Sequence, residues 1–173
     1  RFFEALLTSL PSGKVPKFFQ EEGHGLLVAD GMGGHAAGEM ASQLAIQMLI
    51  NLVLHTPDWM LSTEGPDAAQ VMERMTERFR FIDAMLLDQG ETDPRLTGMG
   101  TTMTLGVIFG PSMVLAHVGD SRAYLLRQGT LHQLTRDHTK AQALVDCGAW
   151  TPEQAASSRL RHVLTQALGG NPT

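Results

Sequence analysis

The stretch Asp30-Gly31-Met32-Gly33-Gly34-His35 puts a carboxylate, three glycines and an imidazole into six consecutive residues. It follows Leu26-Leu27-Val28-Ala29, a compact apolar run that stops at a turn signal, as a buried strand does. An aspartate at such a strand end has a fixed backbone, so its carboxylate can be aimed. The glycines allow tight backbone angles and expose peptide carbonyls and amides to a ligand. Hard cations such as Mg²⁺ or Mn²⁺ take oxygen ligands from carboxylates, carbonyls and water. The Asp30 carboxylate and the Gly31 carbonyl therefore form a credible half-site. The helix start that follows would also favour an anion such as phosphate. A purely structural strand-to-helix turn fits the same residues. A dinucleotide fingerprint does not, because the Gly-x-Gly-x-x-Gly spacing is absent.

Val118-Gly119-Asp120-Ser121-Arg122 is the second stretch with chemical potential. Taken alone, Asp120 is a turn former at a hairpin tip. Beside Asp30, it is a second strand-end carboxylate and suggests a cluster of carboxylates around metal.

These residues need elements to hold them. Residues 1–23 read as two short strands joined by a loop around Pro11. A helix is expected from about Ala36 to His55, ended by Pro57. Gln43, Gln47, Asn51 and His55 form its wet stripe, and the small Gly38, Ala41 and Ala45 would allow close approach to a sheet. A second helix is expected from about Pro66 to Leu87. Its apolar stripe is Val71, Met75, Phe79, Ile82 and Leu86, with Glu73, Arg74, Glu77, Arg78 and Arg80 on a solvated surface.

Strands follow at 102–109, 113–118, 122–127 and 130–134, separated by Gly110-Pro111, Gly119-Asp120 and Gln128-Gly129. This spacing predicts an antiparallel meander. Both faces of 113–118 are largely apolar, which predicts a sheet covered on both sides. Lys140 to Gly148 predicts a short helix. Thr151-Pro152-Glu153-Gln154 has the form of a capped helix start. Residues 161–168 are apolar again and read as strand or helix. The order of elements argues for α+β.

The 173 residues are enough for one domain with a core that needs neither disulfide nor metal. Apolar residues at 43% argue against disorder. A net charge of -5 gives no basic face for nucleic acid. Cys147 is the single cysteine, which rules out an intrachain disulfide framework and fits a reducing, cytoplasmic compartment. The run Leu44 to Leu54 is far short of the roughly 20 residues of a membrane span, so no membrane partner is expected. The start at Arg1-Phe2-Phe3 has no signal-peptide pattern and no methionine, so it is not expected to be the native start.

Five stretches occur in a telling order: Ala29 to His35, Gly38-Glu39-Met40-Ala41-Ser42, Gly98-Met99-Gly100-Thr101-Thr102, Ala116 to Tyr124, and Leu134-Thr135-Arg136-Asp137-His138-Thr139. Together they resemble the PP2C-type, metal-dependent protein serine/threonine phosphatases. Val163 to Gly169 looks like that family's next block, and Met32 looks like its bacterial branch. The resemblance runs from about Leu26 onward.

The resemblance implies an αββα sandwich, two antiparallel sheets flanked by helices, with two Mn²⁺ or Mg²⁺ ions at one end and a third, weaker one. By position, Asp30 matches the aspartate that bridges two metals, Gly31 the residue whose carbonyl binds one, and Asp120 the aspartate of the third. A metal-bridging hydroxide would attack phosphorus in line. His35 is either the proton donor to the leaving oxygen or an exposed first-turn histidine. His117 and His138 are expected to be structural, and Arg122 to tie the hairpin by a salt bridge. Residues 140–160 match the mobile flap beside the site, making Cys147 a flap or packing residue. The implied partners are phosphoprotein substrates of a monomer. The alternative is a non-catalytic module of the same fold that binds a serine/threonine protein kinase or another regulator.

The sequence also departs from the family pattern. The arginine with its acidic pair, the later Ser-Asp-Gly block and the final Asp-Asn block are not found here. The expectation is a single domain over 1–173 lacking its N-terminal strand and its C-terminal portion, with weak metal binding and little turnover by this chain alone.

Overall fold

The computed structural model describes residues 24–55, 68–109 and 112–170. The two strands expected before residue 24 lie outside the described residues. The apolar run after them forms strand β1 (His24–Val28), followed by a two-residue strand β2 (Gly31–Met32) and helix α1 (His35–His55). Helix α2 (Ala68–Thr92) comes next, five residues longer at its end than the periodicity suggested. Strands β3 (Gly100–Thr101), β4 (Met103–Phe109) and β5 (Ser112–Val118) complete the first half.

β1, β4 and β5 make an antiparallel sheet in that order. The register sets Leu27 opposite Leu105, and Leu105 opposite Ala116. Side chains alternate across a strand, so Leu27, Met103, Leu105, Val107, Val114, Ala116 and Val118 share one face. That face packs on α1 through Ala37, Ala41, Ala45 and Leu49, and on α2 through Val71, Met75, Ile82 and Leu86. Each large side chain fully buried here, such as Ile82 or Leu86, contributes about 1.5–3 kcal/mol of hydrophobic stabilisation.

The stripe of α2 differs from the expected one at a single position. Arg78 is buried, while Phe79 is only partly so. Residues 71, 75, 78, 82 and 86 step by four, three, four and four, so position 78 lies on the helix face turned to the core. Glu73, Arg74, Glu77 and Arg80 are exposed, as expected of a solvated face.

The other sheet face carries Leu26, Val28 and Met113. These are 63%, 59% and 41% exposed, so the expected cover on both sides is present on one side only among the described residues. The meander also breaks. β6 (Tyr124–Arg127) and β7 (Thr130–Gln133) form a hairpin of their own and do not pair with β5. The cause lies at Gly119, where φ is +105° and the chain leaves the sheet. The Gln128-Gly129 turn has φ of 52° and 77°, the double positive φ of a tight hairpin.

Two short helices follow, α3 (Lys140–Asp146) and α4 (Pro152–Ser157). Thr151 and Gln154 cap α4 reciprocally, as the sequence indicated. Residues 161–168 form neither one strand nor one helix. A 3₁₀ turn spans Arg159–His162, and strand β8 (Leu168–Gly169) pairs with β3. The α+β organisation stands. No described helix is long and apolar enough to cross a membrane.

Candidate metal centre

Asp30 sits just past the end of β1, held through its backbone. Its N–H donates to Thr102 Oγ1 at 3.1 Å, and its carbonyl accepts the Thr102 N–H at 2.9 Å and the Thr101 hydroxyl at 3.0 Å. The residue is exposed, and its carboxylate makes no hydrogen bond or ion pair with any described residue. A carboxylate with a clamped backbone and unused oxygens is what a hard cation requires.

Gly31 follows against α1. A Cβ on Gly31 would lie 1.8 Å from the Gly38 carbonyl oxygen, and one on Gly38 would lie 2.9 Å from the Gly31 oxygen. Two backbones thus meet where only glycines fit, which brings the start of α1 beside the end of β1. His35 is the first residue of α1, and its side chain lies outside the described part of the structure.

Asp120 leaves the sheet at the same end. β1 and β5 finish there, and β4 begins there. Thr102 Oγ1 lies 2.8 Å from Ser121 Oγ, so one hydroxyl pair joins the Asp30 backbone to the turn after Asp120. Thr104 Oγ1 lies 3.0 Å from the Ser121 carbonyl and 2.8 Å from His117 Nδ1. These buried hydroxyls find partners, as burial demands. The structure therefore brings Asp30, Gly31 and Asp120 to one end of the fold. Among the described residues there is no group of three or more His, Cys, Asp or Glu side chains able to hold a metal.

The histidines and Arg122 act as their surroundings suggest. His117 Nε2 donates to the Arg136 carbonyl at 3.1 Å, and burial holds its pKa below the usual histidine value despite that carbonyl and the charge of Asp137. His138 Nδ1 accepts the Gly119 N–H at 3.2 Å. Burial, then the adjacent His117, lowers its pKa too. Arg122 forks onto Asp137, Nε to Oδ1 at 2.8 Å and Nη2 to Oδ2 at 2.6 Å, which is the salt bridge expected of it. Cys147 ends α3 as an exposed thiol, so it is not a packing residue.

Reasoning from the sequence missed the role of Thr102. The signal was present in the Gly100-Thr101-Thr102 stretch, whose hydroxyls fall opposite the two aspartates only after β1, β4 and β5 align.

Comparison with known proteins places the chain in a family. The profile of the family "Protein phosphatase 2C" matches residues 18–144. The serine/threonine protein phosphatase PstP of Mycobacterium tuberculosis is 42% identical over 146 residues, covering 84% of this chain and 26% of that protein. The serine/threonine phosphatase stp of Listeria welshimeri is 34% identical, covering 83% and 55%. Among solved structures, the S. agalactiae serine/threonine phosphatase superposes with a TM-score of 0.72 at 34% identity, covering 87% of this chain and 60% of that one. The catalytic domain of PstP, solved with 2 manganese ions, gives 0.65 at 40% identity, covering 86% and 60%. The chain thus spans about a quarter of one relative's length and little more than half of the other's. These neighbours share its antiparallel sheets flanked by helices, and the chain belongs to the protein phosphatase 2C family.

Proposed function

We propose that the protein to which this chain belongs hydrolyses phosphoserine and phosphothreonine in proteins, using Mn²⁺ or Mg²⁺. The observation that carries this reading is the Asp30 carboxylate, clamped at its backbone and unpaired at its oxygens among the described residues, on the same sheet end as Asp120. The donors are hard oxygens, so they suit a hard cation and disfavour a soft one. Asp30 and the Gly31 carbonyl would hold the principal ions and Asp120 a weaker one. They fall short of the six or so ligands such an ion takes, and the rest would come from water and other oxygen donors.

Divalent ions, when bound there, would supply positive charge against the phosphoryl oxygens and lower the pKa of water. The chain's own part is positioning. Thr101 and Thr102 fix the Asp30 backbone, and the Gly31–Gly38 contact fixes where α1 begins. His35, at the first turn of α1, is the proposed proton donor to the departing seryl or threonyl oxygen. Residues 140–160 would act as a flap beside the site. The substrates are by their chemistry the products of protein kinases.

The test is hydrolysis of p-nitrophenyl phosphate with Mn²⁺ by the full-length protein and its Asp30→Ala variant. Loss of about a thousandfold or more in kcat/KM is expected for the variant, on the scale of removing a group that stabilises transition-state charge. Full activity in Asp30→Ala would sink the assignment.

A further inference from the structure

His138 is in contact with both the turn that carries Asp120 and the base of the 140–162 segment. Its backbone N–H donates to the Gly119 carbonyl at 2.8 Å, and its ring Nδ1 accepts the Gly119 N–H at 3.2 Å. Both backbone polar groups of the residue before Asp120 thus end on this one side chain and its own amide. An accepting Nδ1 places the ring proton on Nε2. The carbonyl of His138 accepts the Thr165 N–H at 2.9 Å.

From His138 the chain enters the segment at once. Thr139 is bridged to Leu164 and caps α3, its hydroxyl accepting the Gln142 N–H at 3.2 Å. Lys140 N–H donates to the Val163 carbonyl at 2.8 Å. The segment is therefore closed at its base by two short antiparallel stretches, 138–140 and 163–165. Arg136 and Asp146 form an ion pair that holds the end of α3 to the stretch before His138.

The other end of this path has little slack. Gly119 is buried at φ +105°, and a Cβ on it would lie 2.4 Å from Thr102 Cγ2. Thr102 is the residue that also holds the Asp30 backbone. Gly119 thus lies between the 138–140 stretch, to which two hydrogen bonds hold it, and Thr102, which leaves no room for a side chain there.

We propose that His138 is a positioning residue whose hydrogen bonds to Gly119 and Thr165 couple the pose of Asp120 to the base of the 140–162 segment. Its consequence for metal binding rests on the proposed reading of Asp120 as a ligand. The coupling itself stands on the hydrogen bonds. Linkage makes it reciprocal: ordering the segment favours the pose of Asp120, and a cation on Asp120 steadies the segment.

Hydrogen exchange read by mass spectrometry on the full-length protein without metal tests the coupling. In His138→Ala, exchange over 118–121 and over 140–165 is expected to rise together, about tenfold, while α2 and β4 stay protected. His138→Phe, which keeps a ring and lacks the acceptor, is expected to behave like His138→Ala. His138→Asn, whose side-chain oxygen can accept the Gly119 N–H, is expected to recover most of the protection. Unchanged exchange in both Ala and Phe variants, a rise on one side alone, or no recovery in Asn overturns the proposal.

A second measurement follows the link to metal. This chain carrying Trp59→Phe is the one titrated, and Trp150 inside the segment is then the sole tryptophan of these 173 residues. Its emission during a Mg²⁺ titration is expected to change, with the midpoint about tenfold higher in His138→Ala than in His138→Asn. Equal midpoints in the two would count against the coupling. No heat of Mg²⁺ binding to the wild-type protein would instead defeat the metal reading, leaving the exchange result to judge the coupling by itself.

Discussion

The hydroxyl oxygens of Thr102 and Ser121 lie 2.8 Å apart and join the backbone of Asp30 to the turn that carries Asp120. The two residues are 19 positions apart and flank the β4–β5 hairpin at its open end, one before β4 and the other after β5. Neither has a titratable side chain. Their contribution is to hold two aspartates at the same end of a sheet.

Replacing Thr102 by Val keeps the shape and removes the hydroxyl. The Asp30 N–H and Ser121 Oγ then lose a partner in a partly buried place. A loss of about 1–3 kcal/mol is expected from leaving such groups unsatisfied, read by urea denaturation. Mn²⁺ affinity measured by calorimetry should fall as well, because the Asp30 backbone is less firmly placed. Ser121→Ala should cost less, since the Asp30 contact survives. Wild-type stability and wild-type Mn²⁺ affinity in Thr102→Val would contradict this role.

Gly31→Ala and Gly129→Ala separate backbone contact from backbone angle. At Gly31 the new methyl would lie 1.8 Å from the Gly38 carbonyl, so β2 and α1 must move apart. At Gly129 the methyl meets nothing within 4 Å, and only φ of +77° is unfavourable. The hairpin variant should cost about 1–2 kcal/mol. The Gly31 variant should cost more than 3 kcal/mol or prevent folding. Similar melting temperatures for the two would show that the α1 contact is soft.

Acidification should weaken the fold through His117. Burial keeps its folded pKa below the ordinary 6.5. Between the two values the unfolded chain binds a proton that the folded chain refuses. Stability from this group is therefore complete above about pH 6.5 and falls as the pH drops towards the folded pKa. The denaturation midpoint should decline from pH 7.5 to 5.5, and His117→Asn should flatten that decline. A variant with the same pH slope as wild type would assign the effect elsewhere.

How much was legible in advance depended on the range of the interaction. The cap of α4 at Thr151 and Gln154 and the apolar run of β1 involve neighbours within a few residues, and the sequence shows them directly. Asp30 and Asp120 stood out because a carboxylate beside glycine at a strand end is a local pattern. The break between β5 and β6 was not legible, because Gly119-Asp120 has the composition of an ordinary hairpin turn. Its left-handed glycine, pressed on Thr102, turns the chain out of the sheet instead. Arg78 was misplaced for a similar reason. The periodicity admits either 78 or 79 on the stripe, and only the rotation of α2 on the sheet chooses between them.

The sequence by itself determined most of the element types, the family resemblance and the candidacy of the two aspartates, since each rests on local order or on motif succession. Tertiary structure decided that Thr102, Ser121 and His138 connect those aspartates to each other and to the 140–162 segment. Hydroxyls and a neutral imidazole make short, directional bonds, and whether they meet depends on strand register rather than on spacing along the chain.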